Sequence, residues 1–158
     1  MPKITALLHT HNDALRLGRA LDSLRPCDEV LIIDDGSEDD TARIAREHGA
    51  KLSAAIPGVT PGAYALDASH LWILCLRPNE ALSDDLEAAL FEWKAGEVAE
   101  GTFCYSVSVR QETDRGWMQG PAEVRLVKRE LVNWVDEMPD CQPCQTLLTG
   151  DLLSFRQP

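Results

Sequence analysis

The chain has 158 residues, 44% of them hydrophobic and 26% charged, and a formal net charge of −11. That length suits one globular domain with a core of its own, since a chain of this size buries roughly 68–70% of its unfolded surface. The carboxylate excess excludes nucleic acid and anionic membranes, which need a basic surface. No apolar run reaches the ~18–20 residues of a bilayer span. Residues 1–10 lack the pattern of a signal peptide, so a cytoplasmic location is expected.

Lys3 to Leu8 is an apolar run that predicts a buried strand. Asn12 is placed to cap the helix that follows, whose apolar face is Ala14, Leu17, Leu21 and Leu24, and Pro26 ends it. Glu29 to Asp34 predicts the second strand. Ser37 with Asp40 resembles a capping box for a helix carrying Thr41, Ile44, Ala45 and His48, with Gly49 as its stop. Lys51 to Ala55 predicts a weak third strand, and residues 57–63 a loop. Leu71 to Leu76 is a continuous apolar strand. Ser83 caps a helix with Leu86, Ala89, Leu90 and Trp93 on one face, closed by Gly96.

Strands and helices thus alternate through residue 96, which predicts an α/β fold with a mixed, mostly parallel sheet and helices on both faces. Afterwards the pattern changes. Phe103, Tyr105, Val107 and Val109 alternate with polar or small residues, predicting a half-buried antiparallel strand. Glu123 to Arg129 predicts another, with Val124 and Leu126 on one face. A loop spans residues 139–145, and the last dozen residues predict a short edge strand.

Five cysteines are present. Cys75 and Cys104 read as buried thiols. Cys141-Gln142-Pro143-Cys144 is a lone Cys-x-x-Cys pair without the second pair of a structural zinc site. It reads as loop cysteines, with redox chemistry or a metal site shared across a dimer as alternatives. Trp93, Trp117 and Trp134 are expected in the core; the alternative is an apolar surface covered by a second copy in a homodimer.

Ligands of open parallel sheets bind at the carboxyl ends of the strands. Three such ends are expected to converge here: His9-Thr10-His11-Asn12, Asp34-Asp35-Gly36-Ser37 and Arg77-Pro78-Asn79-Glu80. Carboxylates after an apolar strand can accept hydrogen bonds from a base or a ribose, or one of them simply caps the next helix. The order Ile4–Asp13, Val30–Thr41, Ala42–Ala50, Leu71–Leu76 and Glu80–Ser83 resembles the N-terminal half of family 2 glycosyltransferases of GT-A fold. The likeness covers about residues 3–95, and Val124–Arg129 resembles more weakly a late strand of the lipopolysaccharide-core branch.

The resemblance implies a Rossmann-like three-layer domain, with residues 1–96 as the nucleotide-binding half and 97–158 as a shortened acceptor-side half. It implies transfer of sugar from a nucleotide-diphospho-sugar donor. Thr10, His11 and Asn12 match the segment lining the nucleoside pocket, Asp35 the carboxylate that contacts the base, and Asp34 the support of that loop. The family's Asp-x-Asp metal motif is replaced by Arg77 and Asn79, and Pro61–Leu66 lacks the family's Arg-Asn pair. A hard divalent cation needs anionic oxygens, so no metal cofactor is expected.

Two readings follow. In one, Arg77 replaces the cation by neutralising the diphosphate, and Asp136 or Glu137 is the catalytic base. In the other, the chain is a non-catalytic pseudoenzyme serving as a binding or regulatory module. The first requires Arg77, Asp35 and Glu137 to converge on one open cleft; a cleft blocked by His11 or Tyr64 points to the second.

Overall fold

The computed structural model describes residues 1–130, 133–141, 144 and 146–156. The N-terminal half alternates as expected. Strand β1 (Ile4–Thr10) leads to helix α1 (Ala14–Asp22), β2 (Glu29–Asp34) to α2 (Thr41–Glu47), and β3 (Lys51–Ala54) to a 3-10 helix over Pro61–Asp67. Next come β4 (Trp72–Cys75), the short β5 (Glu80–Leu82) and helix α3 (Asp84–Ala95). The rest is strand: β6 (Cys104–Thr113), β7 (Gly116–Lys128), the hairpin β8 (Asn133–Val135) and β9 (Met138–Asp140), and β10 (Leu147–Ser154).

Eight strands make one mixed sheet in the order β3-β2-β1-β4-β7-β6-β10-β5, and β8 and β9 pair separately. The β1–β2, β1–β4, β2–β3 and β6–β10 pairings are parallel; β7 and β5 run against their neighbours. The central strands are apolar almost throughout because both faces are covered. All three α-helices contribute to one core, with Leu17, Leu21, Ala45, Leu86 and Leu90 packed beside Ile4, Leu8, Ile32 and Leu74. Trp93 joins Trp72 and Tyr105 there, with ring centroids 5.0–5.7 Å apart at steep angles, a favourable aromatic arrangement. The opposite core holds Leu7, Leu31, Ile33 and Ile73 under the 3-10 helix, with Trp134 and Met138 of the hairpin packed against it. Trp117 is half-exposed, edge-on to Phe155.

Four local expectations change. Asn12 does not cap α1; it takes a left-handed conformation (φ 52°), and its side-chain oxygen accepts from the Glu38 amide, while α1 begins after Asp13. Ser37 does not cap α2. Its hydroxyl donates instead to Asp34 Oδ1 at 2.6 Å, because an ionised carboxylate is a stronger acceptor than the alternatives nearby, and α2 starts after Asp40. The C-terminal strand is not at an edge, since β10 lies between β6 and β5. Val124 and Leu126 do not share a face. Tyr105 pairs with Leu126 but Ser106 with Val124, so Arg125 is the extra residue of a β-bulge, and the two flanking side chains enter opposite cores.

Of the cysteine motif, Gln142 and Pro143 lie outside the described residues. Cys141 and Cys144 pack into the second core, where burial, and after it their thiols, push the Cys104 pKa up.

Candidate functional site

The carboxyl ends of β1, β2 and β4 meet as expected. A cleft of about 610 Å³ opens there, with polar side chains from His9, Thr10, His11, Asp13, Asp35 and Glu137 and an apolar wall from Ile33, Ala55, Ile56, Pro57, Val59 and Tyr64. This mixture of an apolar wall with a few polar groups is typical of a small-molecule site. A smaller hollow of about 180 Å³ adjoins it, sharing His9, Asp13, Pro78 and Glu137 and adding Arg16, Leu76, Arg77 and Asn79. Asp35 thus lines the first hollow, Arg77 the second, and Glu137 both, at the place where they adjoin. Tyr64 forms a wall of the cleft, and its hydroxyl accepts from the Ile56 amide at 2.6 Å, fixing the apolar loop.

Each strand end is held by local hydrogen bonds. The Asp35 amide donates to the Thr10 carbonyl at 2.9 Å, extending the β1–β2 pairing by one step. His11 Nδ1 lies against the Asp35 carbonyl, and its amide donates to Asp13 Oδ2 at 2.8 Å. Asn12 and Asp34 do not line the cleft. Asp34 accepts from the Thr10 hydroxyl at 2.7 Å and from the Ser37 amide at 3.0 Å. Burial opposes ionisation of Asp34, but the Ser37 and Thr10 hydrogen bonds outweigh it and hold the carboxyl below its ordinary range. Asp34 thus braces the loop, and Asp35, exposed beside it, is the one that lines the cleft.

The last strand end carries a charge network that sequence reasoning missed. Arg125 is fully buried and grips Glu80 with two parallel hydrogen bonds of 2.6 and 2.8 Å. It also donates to the Cys75 carbonyl at 3.2 Å and to Glu123 at 3.1 Å. Burial works against its charge, yet the Glu80 carboxylate outweighs that and raises its pKa. Glu80 in turn accepts from the Arg77 amide at 2.7 Å, which closes the β4–β5 turn. The Arg77 guanidinium lies 3.4 Å from Glu137, 3.8 Å from Glu80 and 3.9 Å from Glu123, and is 40% exposed, so it still reaches solvent.

Glu137 projects from the β8–β9 turn into both hollows, whereas Asp136 is exposed, at φ 53°, and lines neither. The hairpin is seated by Trp134, which lies where a Cβ on Gly62 would stand, 2.2 Å from Trp134 Cγ. His9, expected at this strand end but without a role of its own, lines both hollows. It ends an apolar run, a pattern that could have flagged it, and its Nε2 is enclosed with no hydrogen-bond partner among the described residues. Burial lowers the His9 pKa while Glu137 pulls it up.

A cleft at the carboxyl ends of parallel strands, with Asp35 on one side and Arg16 and Arg77 on the other, lies where open α/β sheets bind their ligands. Residues 5–56 match the family model for glycosyl transferase family 2. An uncharacterized glycosyltransferase of Rickettsia felis is 37% identical over 92 residues, covering 55% of this chain and 32% of that protein. One from Rickettsia typhi is 33% identical over 92 residues, covering 55% and 31%. The chain spans about a third of the length of these curated relatives.

Among solved structures, residues 1–349 of Staphylococcus aureus TarS superimpose with a TM-score of 0.56 at 20% identity, covering 72% of this chain and 37% of that one. Glucosyl-3-phosphoglycerate synthase of Mycobacterium tuberculosis, solved with Mn2+, UDP and glucosyl-3-phosphoglycerate, gives 0.51 at 21% identity, covering 67% and 43%. These likenesses establish the fold. Over residues 5–56 the chain is similar to the family 2 glycosyltransferases, and its fold is the GT-A fold of these solved structures. No helix among the described residues is long and apolar enough to cross a membrane.

Proposed function

We propose that this chain binds a nucleoside-diphospho sugar and transfers the sugar without a divalent cation. The observation that carries the reading is that the hollow lined by Asp35 and the hollow lined by Arg77 adjoin at Glu137, which lines both. The base lies against the apolar wall of Ile56, Pro57 and Tyr64, with Asp35 and Thr10 accepting hydrogen bonds from base or ribose. That the Mycobacterium tuberculosis synthase, of the same fold, is solved in complex with UDP supports that choice of ligand.

The residues at the metal-motif positions do not fit Mn2+ or Mg2+. Arg77 is cationic, Asn79 donates its amide to the Phe155 carbonyl at 3.2 Å, and Glu80 is turned inward onto Arg125. Hard cations take anionic oxygens, and none is offered there. Arg77 instead neutralises the charge that develops on the leaving diphosphate. The bond between the sugar's anomeric carbon and the β-phosphate oxygen breaks, and the diphosphate keeps the electron pair. The acceptor hydroxyl oxygen bonds to that carbon, and its proton passes to Glu137.

A second reading has one specific support. Arg77 and Glu137 pair at 3.4 Å, and a base tied to the site's cation suits a binding module that does not turn over. Release of nucleoside diphosphate from UDP-, GDP- and dTDP-sugars in EDTA, with and without acceptor hydroxyls, separates the two. Turnover in EDTA that falls at least about 100-fold in both Arg77→Ala and Glu137→Gln supports transfer. Turnover only with added Mn2+, or unchanged in Arg77→Ala, defeats it. Binding without turnover is the result expected of the module.

A further inference from the structure

Arg16 is the least explained charged residue in the molecule. It stands in the first turn of α1, where the positive end of the helix disfavours a cation. Its side chain is only 18% exposed. Its Nε and Nη1 are enclosed and have no hydrogen-bond partner among the described residues. The nearest carboxylate, Asp13 Oδ1, is 3.3 Å from Nε without forming a hydrogen bond, and Asp13 Oδ2 is occupied by the His11 amide. Enclosed guanidinium donors are normally satisfied. Here they border the smaller hollow, which Arg77, Asn79 and His9 also line. Its volume of about 180 Å³ is some six times the ~30 Å³ of a water molecule, room for a polyatomic anion rather than a single solvent molecule.

We propose that Arg16 is a second phosphate-binding residue, which with Arg77 makes this hollow a metal-free seat for a diphosphate. The inference rests on the nucleoside-diphosphate reading of the adjoining cleft and assigns where the charge of that ligand goes. Two guanidiniums on opposite elements, one from α1 and one from the end of β4, replace a dication with two monocations. Each presents planar paired donors that match phosphate oxygens. The start of α1 adds its own partial positive charge.

The carboxylates at the hollow are Asp13 and Glu137, and Glu80 and Glu123 also face Arg77. Glu80 is neutralised by Arg125, and Asp13 is held by Arg16 and the His11 amide. Glu137 is the group an incoming diphosphate displaces from Arg77. That exchange frees the Glu137 carboxylate when the donor is in place, so ligand binding and exposure of the base become one event.

The test is calorimetric titration in EDTA with uridine, guanosine, thymidine, their diphosphates and inorganic pyrophosphate, on the native chain, Arg16→Gln and Arg16→Lys. The native chain should bind one nucleoside diphosphate about tenfold or more tightly than its nucleoside, the effect of one charge-assisted contact. Arg16→Gln should lose that gain while binding the nucleoside as the native chain does. Arg16→Lys should recover part of it, which also shows that the loss is of charge and not of fold. An undiminished gain in Arg16→Gln overturns the proposal. If no nucleoside or nucleotide binds but pyrophosphate does, and Arg16→Gln abolishes that, the seat stands and the nucleotide reading falls. If pyrophosphate and every diphosphate fail to bind the native chain, the proposal falls.

Discussion

Replacing Arg125 with alanine is expected to cost about 3–5 kcal/mol of folding stability, the usual loss when one partner of a buried ion pair is removed. Glu80 would be left 2% exposed with only the partly exposed Arg77 guanidinium, 3.8 Å away, as counter-charge. Domains are stable by only about 5–15 kcal/mol, so this removes at least about a fifth of the total and, in a marginal domain, most of it. The effect should also reach the site, since Glu80 holds the Arg77 amide and through it the β4–β5 turn. The double change Glu80→Leu with Arg125→Met removes both charges and should recover most of the stability, because an apolar pair in place of a buried ion pair is often neutral or better. It should not restore ligand affinity, since nothing then fixes the backbone under Arg77. Urea unfolding of the three variants checks the first part and nucleotide titration the second. A loss under about 1 kcal/mol for Arg125→Ala would show the pair to be more hydrated than its burial implies.

Gly150→Ala is expected to be comparably damaging for a different reason. Gly150 has φ 96°, and a Cβ there would stand 2.4 Å from the Leu86 amide nitrogen and 2.7 Å from its Cα. The backbone conformation alone costs a non-glycine residue about 1–3 kcal/mol. Overpacking against a helix backbone, which cannot step aside as a flexible side chain can, adds roughly 1–3 kcal/mol more. This contact joins β10 to the start of α3. Ser83 donates its amide to the Asp151 carbonyl at 3.0 Å, while its hydroxyl accepts from the Asp151 amide at 3.1 Å and from Leu86 at 3.2 Å. Thermal unfolding of the variant should show a large fall in midpoint. An alanine variant as stable as the native chain would mean that β10 can move away from α3 without loss.

These two positions mark where the sequence stopped being legible. The central strands were readable because they are continuous apolar runs: Glu29–Asp34 is a strand as expected, and β1 and β4 lie within a residue or two of their expected limits. Ser83 was readable as a cap because its hydroxyl still accepts from the Leu86 amide while a second lone pair accepts from Asp151. Ser37 was misread because Asp34 does compete, and the serine braces the carboxylate instead of the helix. Asp34 itself follows the same logic, with a side chain satisfied by Thr10 and Ser37 while its neighbour faces the opening.

The Arg125–Glu80 pair could not be read at all. Its partners are 45 residues apart, and in an alternating strand a charged residue normally points to solvent. The bulge that turns Arg125 inward leaves no local signature. Gly150 gave no warning either, since a glycine inside a strand says that something approaches closely but not what. Nothing in the sequence distinguishes Arg16 from an ordinary helix-surface cation, and only the enclosure of its nitrogens sets it apart.

The most direct test of the account is the thermal stability of the native chain in EDTA with saturating nucleoside diphosphates, repeated with Mn2+. The account predicts that one nucleoside diphosphate, at about 100 times its dissociation constant, stabilises the fold by ~2.7 kcal/mol in EDTA and gains nothing from Mn2+. Stabilisation that appears only when Mn2+ is added, or none with any nucleotide under either condition, would contradict it.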